Sequence, residues 1–291
     1  MLHTLYNNKM TSSISKAPLY VIPKYVPARS SNNQKQKIPR KIFQTWKSLT
    51  VSKEMFNAVS SVIEMNPDYE YYFFDNTDCR NFIEKHFNSS VLRAYDNLIP
   101  GAFKADLWRY CVLYIHGGVY MDIKTVMLKP LSELIKSDIN GLICLDRPDN
   151  WLLNGLMFFV AENGYILKCL EETVKNCLDA VYDKEGWQTW TKFGQYGSYC
   201  ISGPILCGNL FLKYVNVKKI ESKIYQITVD KKIEKYDMQL RWNYNDGNNL
   251  RYQNDVVMHR NYNGYYEKES IDNYRVMFRD KLVFKTKSKD I

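Results

Sequence analysis

Gly101 to Pro130 reads GAFKADLWRYCVLYIHGGVYMDIKTVMLKP, and the reading of this stretch decides the fold. Ala102 to His116 carries no internal glycine or proline and predicts an unbroken helix, with Pro100 just before it. Gly117 and Gly118 end it, because one of them can adopt the left-handed backbone that closes a helix. Val119-Tyr120-Met121 then reads as a buried strand that delivers Asp122 and Lys124 at its tip. Asp106 and Arg109 are three residues apart and so share a helix face, with Leu107, Cys111, Tyr114 and Ile115 expected on the core side. Two charges on an otherwise apolar helix, followed by a tight turn and a carboxylate, mark a candidate site.

Outward from this stretch, IPRKIFQTW (Ile38 to Trp46) reads as a strand ending at Thr45 and Trp46. Ser52 caps a helix through Met65, and NPDYEYYFFDN is a second strand ending at Asp75 and Asn76. Asp75 either caps the following helix or meets a ligand, and capping is the favoured reading. That helix ends at Phe87, and Ser89 starts another towards Asn97. Beyond Pro130 come strands at Gly141 to Leu145 and at Leu153 to Ala161, the second with Asn154 near its start. Thr125 to Leu128 reads as a further strand. Tyr165 to Leu178 predicts a helix with Leu167, Leu170, Val174 and Cys177 on its apolar face, and Gly203-Pro204 precedes another from Ile205 to Val215. The last third is less periodic. Strands are expected at Lys223 to Val229 and Val256 to His259, with a polar loop from Asn243 to Asn254.

This alternation predicts an α/β fold with a mostly parallel central sheet and helices on both faces. Residues 38–291 read as one domain, and residues 1–37 as an irregular arm that is ordered where Leu19 to Val26 touches the body.

Composition sets the outer bounds. The 291 residues are 45% hydrophobic and 24% charged, with 23 tyrosines, which excludes a disordered chain. No apolar run reaches membrane-spanning length, and the N-terminus lacks a signal-peptide pattern, so a soluble cytoplasmic protein is expected. Seven scattered cysteines, an odd number, point to reduced thiols rather than a disulfide framework or a zinc site. A net charge of +9 suits an anionic ligand, but the basic residues are dispersed and no nucleic-acid motif is present.

The central stretch resembles the sugar-transferase signature of glycosyltransferase family 32, which includes mannosyl- and galactosyltransferases, and more distantly the glucosylating bacterial toxins. The family pattern A-D-x-x-R-Y-x-x-L-x-x-x-G-G-x-Y-x-D-x-D is matched by Ala105, Asp106, Arg109, Tyr110, Leu113, Gly117, Gly118, Tyr120 and Asp122. Lys124 stands where the family has its last aspartate, and Phe43 where the first strand usually carries histidine. The resemblance implies a GT-A-like fold and retaining transfer from a nucleotide sugar, UDP-linked by preference. The acceptor would be a glycan, glycoprotein or glycolipid, and the metal Mn²⁺ or Mg²⁺.

By the same resemblance Thr45 and Trp46 would meet the nucleotide base, Asp106 and Arg109 the donor-sugar hydroxyls, and Asn154 the reacting sugar. Asp122 and His259 would ligate the metal. Each residue also has a purely structural reading: Trp46 as core, Asp106–Arg109 as a helix-surface ion pair, Asn154 in a turn, His259 as a strand histidine. Trp187, Trp190, Tyr196 and Tyr199 line an acceptor groove or pack in the core.

Departure of a nucleoside diphosphate builds negative charge that a site must neutralise, commonly with a divalent cation held by carboxylates. Asp122-Ile123-Lys124 keeps the strand-tip geometry but exchanges one anion for a cation. Three outcomes stay open: Lys124 pairs with the diphosphate, Lys124 turns away while Asp122 and His259 hold a metal, or catalysis is lost. The rival functions are therefore a catalytically inactive nucleotide- or glycan-binding protein on the same fold and, more remotely, a basic nucleic-acid-binding protein.

Overall fold

The computed structural model describes residues 19–146, 151–182, 197–214, 218–221, 224–229, 232–243, 246–260 and 271–285. The first part of the chain forms β1 (Tyr20–Val21), β2 (Tyr25–Val26), β3 (Lys41–Thr45), β4 (Thr50–Val51), α1 (Lys53–Met65) and β5 (Glu70–Phe74). Helices α2 (Asn76–His86), α3 (Ser89–Asn97) and α4 (Gly101–His116) follow, then strands β6 (Gly118–Met121), β7 (Thr125–Met127), β8 (Gly141–Leu145) and β9 (Leu152–Phe159). The remainder holds α5 (Gly164–Leu178), α6 (Pro204–Tyr214), β10 (Lys218–Glu221), β11 (Ile224–Val229) and β12 (Lys232–Asn243). It closes with β13 (Asn249–Tyr252), β14 (Asp255–Arg260) and α7 (Ile271–Arg279).

Local chemistry sets the helix ends. Ser52 caps α1 by accepting from the Met55 amide, Asn88 caps α3, and Asp75 forms a reciprocal capping box with Asp78 at α2. Asp75 is thus the cap favoured from sequence. Helix α4 stops at Gly117, and both Gly117 and Gly118 have positive φ, +60° and +97°. A Cβ on Gly118 would lie 2.6 Å from the Lys41 carbonyl oxygen, so glycine is required there by space as well as by backbone.

The main sheet runs β2-β5-β3-β6-β9-β8-β12-β13-β14-β7, with β11 also on β12. β5, β3 and β6 pair in parallel, β9 runs against both β6 and β8, and β12 pairs in parallel with β8. Five of the six central strands therefore point one way, giving the mostly parallel sheet expected. Strands β6 and β9 are buried along their whole lengths, as strands covered on both faces should be. Val119 and Met121 of β6 face a layer made by α1 and residues 131–139, while Tyr120 faces the layer of α2 to α7. Helix α4 is apolar almost all round and lies deep in that second layer, with Leu107, Trp108, Tyr110, Cys111, Val112 and Leu113 all buried.

Several details depart from the sequence reading. Tyr114 and Ile115 pack against the core as expected, although each is only half-buried. The buried face of α5 centres on Ile166, Cys169, Leu170, Thr173 and Cys177, and Leu167 and Val174 flank it. The polar segment between Asn243 and Asn254 contains β13, and the twelve-residue β12 is a central strand that periodicity did not reveal. Residues 19–37 are bound to the body: β1 pairs with β4, β2 extends the sheet on β5, and Arg29 and Ser30 amides donate to the Pro67 carbonyl. None of the seven cysteines is in a disulfide, and all are buried. Among the described residues no helix is long and apolar enough to cross a membrane.

The parallel strands share a C-terminal edge, where open α/β sheets bind ligands. β3 ends there at Thr45 and Trp46, β6 at Asp122 and β14 at Arg260. β9, running back, begins there at Leu152, with Asn154 as its third residue.

Candidate active site

The site is built around Arg109. Its Nη2 lies 3.0 Å from Asp106 Oδ1 and 3.7 Å from Asp122 Oδ1, linking the helix carboxylate to the strand-tip carboxylate. Its Nη1 donates to the Asn154 carbonyl at 2.6 Å, and the guanidinium lies over the Tyr120 ring, 4.3 Å from its centre. The pair is thus not the surface ion pair of its structural reading: the Arg109 side chain is 6% exposed and that of Asp106 15%. Asp106 is further held by Ser202, whose hydroxyl donates to Oδ2 at 2.7 Å, and by Asn154, whose amide donates to Oδ1 at 2.9 Å. The Asn154 amide also lies 3.3 Å from the Tyr110 hydroxyl oxygen and the Ser202 carbonyl.

Asp122 is fixed by its backbone as well as by its charge. Its amide donates to the Gly155 carbonyl at 2.8 Å, continuing the β6–β9 pairing beyond the strand. Gly155 must be small, because a Cβ there would meet Asp122 Oδ2 at 2.6 Å. Arg260 Nη2 donates to Oδ2 at 2.8 Å, the Lys124 ammonium lies 3.4 Å from the same oxygen, and the Tyr120 hydroxyl donates to Oδ1 at 3.1 Å. The Trp242 ring covers the Arg260 guanidinium, 4.8 Å from its centre. About a fifth of the Asp122 and Lys124 side chains remains open, 20% and 22%.

These surroundings set the protonation states. Burial pushes Asp106 up to about 6, against the pull of Arg109 and the Ser202 hydrogen bond. Burial acts on Asp122 as well, but Lys124, Arg109 and Arg260 together hold it well below the usual carboxylate range. Burial and then Arg260 lower Lys124 to about 8, with Asp122 opposing. Two carboxylates and three cations share one small region.

The structure brings together Asp106, Arg109, Asp122, Lys124 and Asn154 of the expected residues. His259 does not join them. It pairs in β14 opposite Val126, and strand alternation turns it to the face opposite its neighbour Arg260, the residue that reaches Asp122. Thr45 uses its hydroxyl between strands, donating to the Phe74 carbonyl at 2.8 Å and lying 3.3 Å from Cys79 Sγ. Trp46 is half-buried against the α1-side layer, at the same sheet edge. Phe43 is buried and stacks on Tyr72 and His116. Tyr199 packs edge-on against Trp151 and is hydrogen-bonded to Arg275, while Trp187, Trp190 and Tyr196 lie outside the described residues. Arg260, Ser202 and Trp242 are the residues that sequence reasoning missed. The one available signal was the period of β14, which allows only one of His259 and Arg260 to face the site.

A divalent metal fits this donor set poorly. Mg²⁺ and Mn²⁺ want several oxygen ligands, carboxylates among them. The lone pairs of Asp122 are directed at Arg260, Lys124 and Tyr120, and among the described residues no three His, Cys, Asp or Glu side chains gather to hold an ion.

Residues 52–140 match the family model described as "Glycosyltransferase sugar-binding region containing DXD motif". The chain is 31% identical over 147 residues to an initiation-specific alpha-1,6-mannosyltransferase of Candida albicans, covering 43% of this chain and 38% of that protein. It is 34% identical over 104 residues to inositol phosphoceramide mannosyltransferase 3 of Schizosaccharomyces pombe, covering 36% and 29%. It is 33% identical over 100 residues to an uncharacterized glycosyltransferase, L373, of Acanthamoeba polyphaga mimivirus, covering 34% and 40%. The matched stretches span less than half the length of these relatives. A solved structure, the PaToxG glycosyltransferase, aligns with a TM-score of 0.44 at 16% identity, over 61% of this chain and 69% of that one. Through residues 52–140, which hold Asp106, Arg109 and Asp122, the chain is a relative of the DXD-containing glycosyltransferases.

Proposed function

We propose that this protein is a glycosyltransferase that moves a hexose from a nucleoside diphosphate sugar to a hydroxyl acceptor. The observation that carries the reading is the convergence of Asp106, Arg109, Asn154 and Asp122 at the C-terminal edge of the sheet, in one hydrogen-bonded and ion-paired cluster. Such a cluster suits a sugar, whose hydroxyls both donate and accept. Asp106 offers a carboxylate acceptor held in place by Asn154 and Ser202, and Arg109 ties it to Asp122.

In the reaction the bond between the anomeric carbon and the distal phosphate oxygen breaks, the acceptor hydroxyl oxygen forms the new bond, and its proton is released. The nucleoside diphosphate leaves with the bonding electrons. Chain residues would act by orientation and by charge: Asp106 and Asn154 on the sugar, Trp46 on the nucleotide base, and the cations around Asp122 on the diphosphate. Retention of the anomeric configuration follows from the family resemblance, as does a glycan, glycoprotein or glycolipid acceptor. Relatives whose names call them mannosyltransferases make mannose a candidate donor sugar, beside the UDP-linked sugars expected from sequence.

The test is transfer and hydrolysis across UDP- and GDP-linked hexoses, with NMR of the anomeric proton in the product. Turnover of one donor with retention supports the reading. A folded protein that turns over none of them while binding nucleotide would instead be the inactive binding protein, a reading favoured only by the ion pairing that occupies Asp122.

A further inference from the structure

We propose that Arg260, with Lys124, is the group that binds and neutralises the diphosphate of the donor, in the place a divalent metal would take. The inference rests on the glycosyltransferase reading above and concerns the same site. Arg260 comes from β14, far outside the matched residues 52–140, and reaches Asp122 at 2.8 Å across 138 residues of chain.

Three observations lead to it. First, the second carboxylate of the expected acidic pair is a lysine, and its ammonium lies 3.4 Å from the remaining one rather than turned to solvent. Second, the strand position beside Asp122 delivers an arginine and not the histidine beside it in sequence. Third, among the described residues Arg109, Lys124 and Arg260 set three cations around Asp122 against the carboxylates of Asp106 and Asp122, a field that favours an added anion over an added divalent cation. A guanidinium is always charged, is held here between the Trp242 ring and Asp122, and presents a planar fork that matches phosphate oxygens. Lys124 adds a point charge on a side chain that is 22% exposed. As the glycosidic bond breaks, the electron pair passes to the leaving diphosphate oxygen, and these two side chains stand where that charge grows. No proton is required from either.

The experiment is calorimetric titration of the full chain with UDP, GDP and inorganic pyrophosphate, each in excess EDTA and each in Mn²⁺. Nucleoside diphosphate and pyrophosphate should bind with the same Kd, within about threefold, in both conditions. Arg260→Gln should weaken both by about tenfold to a hundredfold, the range for a charge-assisted phosphate contact, while uridine and guanosine are unaffected. Arg260→Lys should recover part of the loss. Should Arg260→Gln fail to fold, Lys124→Met is read in the same titration and should weaken pyrophosphate about tenfold. Asp122→Asn supplies the opposite sign: with one anion removed, pyrophosphate should bind in EDTA at least as tightly as to the wild type, whereas a metal site would lose its ligand and its affinity.

Binding that appears only with Mn²⁺ overturns the inference and leaves the glycosyltransferase reading standing. So does unchanged pyrophosphate affinity in both Arg260→Gln and Lys124→Met. Absence of any nucleotide or pyrophosphate binding in either condition removes both readings together.

Discussion

Replacing Lys124 with methionine should make this protein more stable at neutral pH, although it removes an ion-pair partner of Asp122. Burial and Arg260 lower the lysine from 10.5 to about 8, so the folded state holds its proton less tightly than the unfolded chain does. The sign follows from proton uptake. Below about pH 8 the ammonium is charged in both states and the folded state carries the full cost. Between about 8 and 10.5 the unfolded chain binds more protons, so wild-type stability should rise with pH until the cost is gone. The cost removed amounts to roughly 3 kcal/mol as an upper bound, and the 22% exposure of the side chain reduces it. Methionine keeps most of the aliphatic stem and needs no hydration, so a net gain of about 1–2 kcal/mol is expected at pH 7. Urea unfolding of wild type and Lys124→Met at pH 7 and pH 10 measures it, with the slope checked for constancy. The gain should shrink towards zero at pH 10. A variant that is less stable at pH 7, or whose gain is the same at both pH values, would refute the argument that this cation is held at a cost.

Three further outcomes follow from the same geometry. Asp122→Ala should abolish donor turnover and also lower stability by about 3 kcal/mol in denaturant unfolding, because three cations then lose their shared counter-charge; a loss under about 0.5 kcal/mol would mean that they relax into solvent. Asp106, raised to about 6, should make wild-type stability fall as pH rises from about 4 to 6, since the folded state then holds the proton longer. Asp106→Asn should flatten that slope in thermal melts taken across the range, and an unchanged slope would assign it to other groups. Gly118→Ala should cost at least about 2 kcal/mol in urea unfolding, combining a φ of +97° with a contact of 2.6 Å to the Lys41 carbonyl; a cost under about 1 kcal/mol would show that β3 gives way.

How far the molecule was legible from its residues differs between its halves. Helix α4, the Gly117-Gly118 turn and β6 are written in strong local signals: unbroken apolar periodicity, glycines where φ must be positive, and a continuous apolar strand. Asp106 and Arg109 were legible as a pair, but their burial was not, because the wall that covers them is supplied by Asn154 and Ser202 from distant segments. β12 was hidden by its polar residues. Glu234 and Asp237 are buried within it, and only the fold shows what satisfies them: Asn163 donates to Glu234, while Lys136 and Tyr252 reach Asp237. The choice between His259 and Arg260 depends on strand register, and a shift of one residue exchanges the faces of a strand.

The distance along the chain between Asp122 and Arg260 also bears on how the protein is made. A ribosome adding roughly 5–20 residues per second needs about 7–28 seconds to travel from one to the other. For most of that interval β8 lacks β12, which is complete only at Asn243, and β7 lacks its partner β14 until the end. A nascent chain halted there would present β8 as an open edge, the kind of surface that recruits chaperones or other strands. Strands β12 to β14 therefore do two things on arrival: β12 covers that edge, and β14 brings Arg260 to Asp122. If Arg260 binds the diphosphate as proposed, vectorial synthesis makes recognition of the anion a late event, and a partly made chain should not sequester a diphosphate before its sheet is closed.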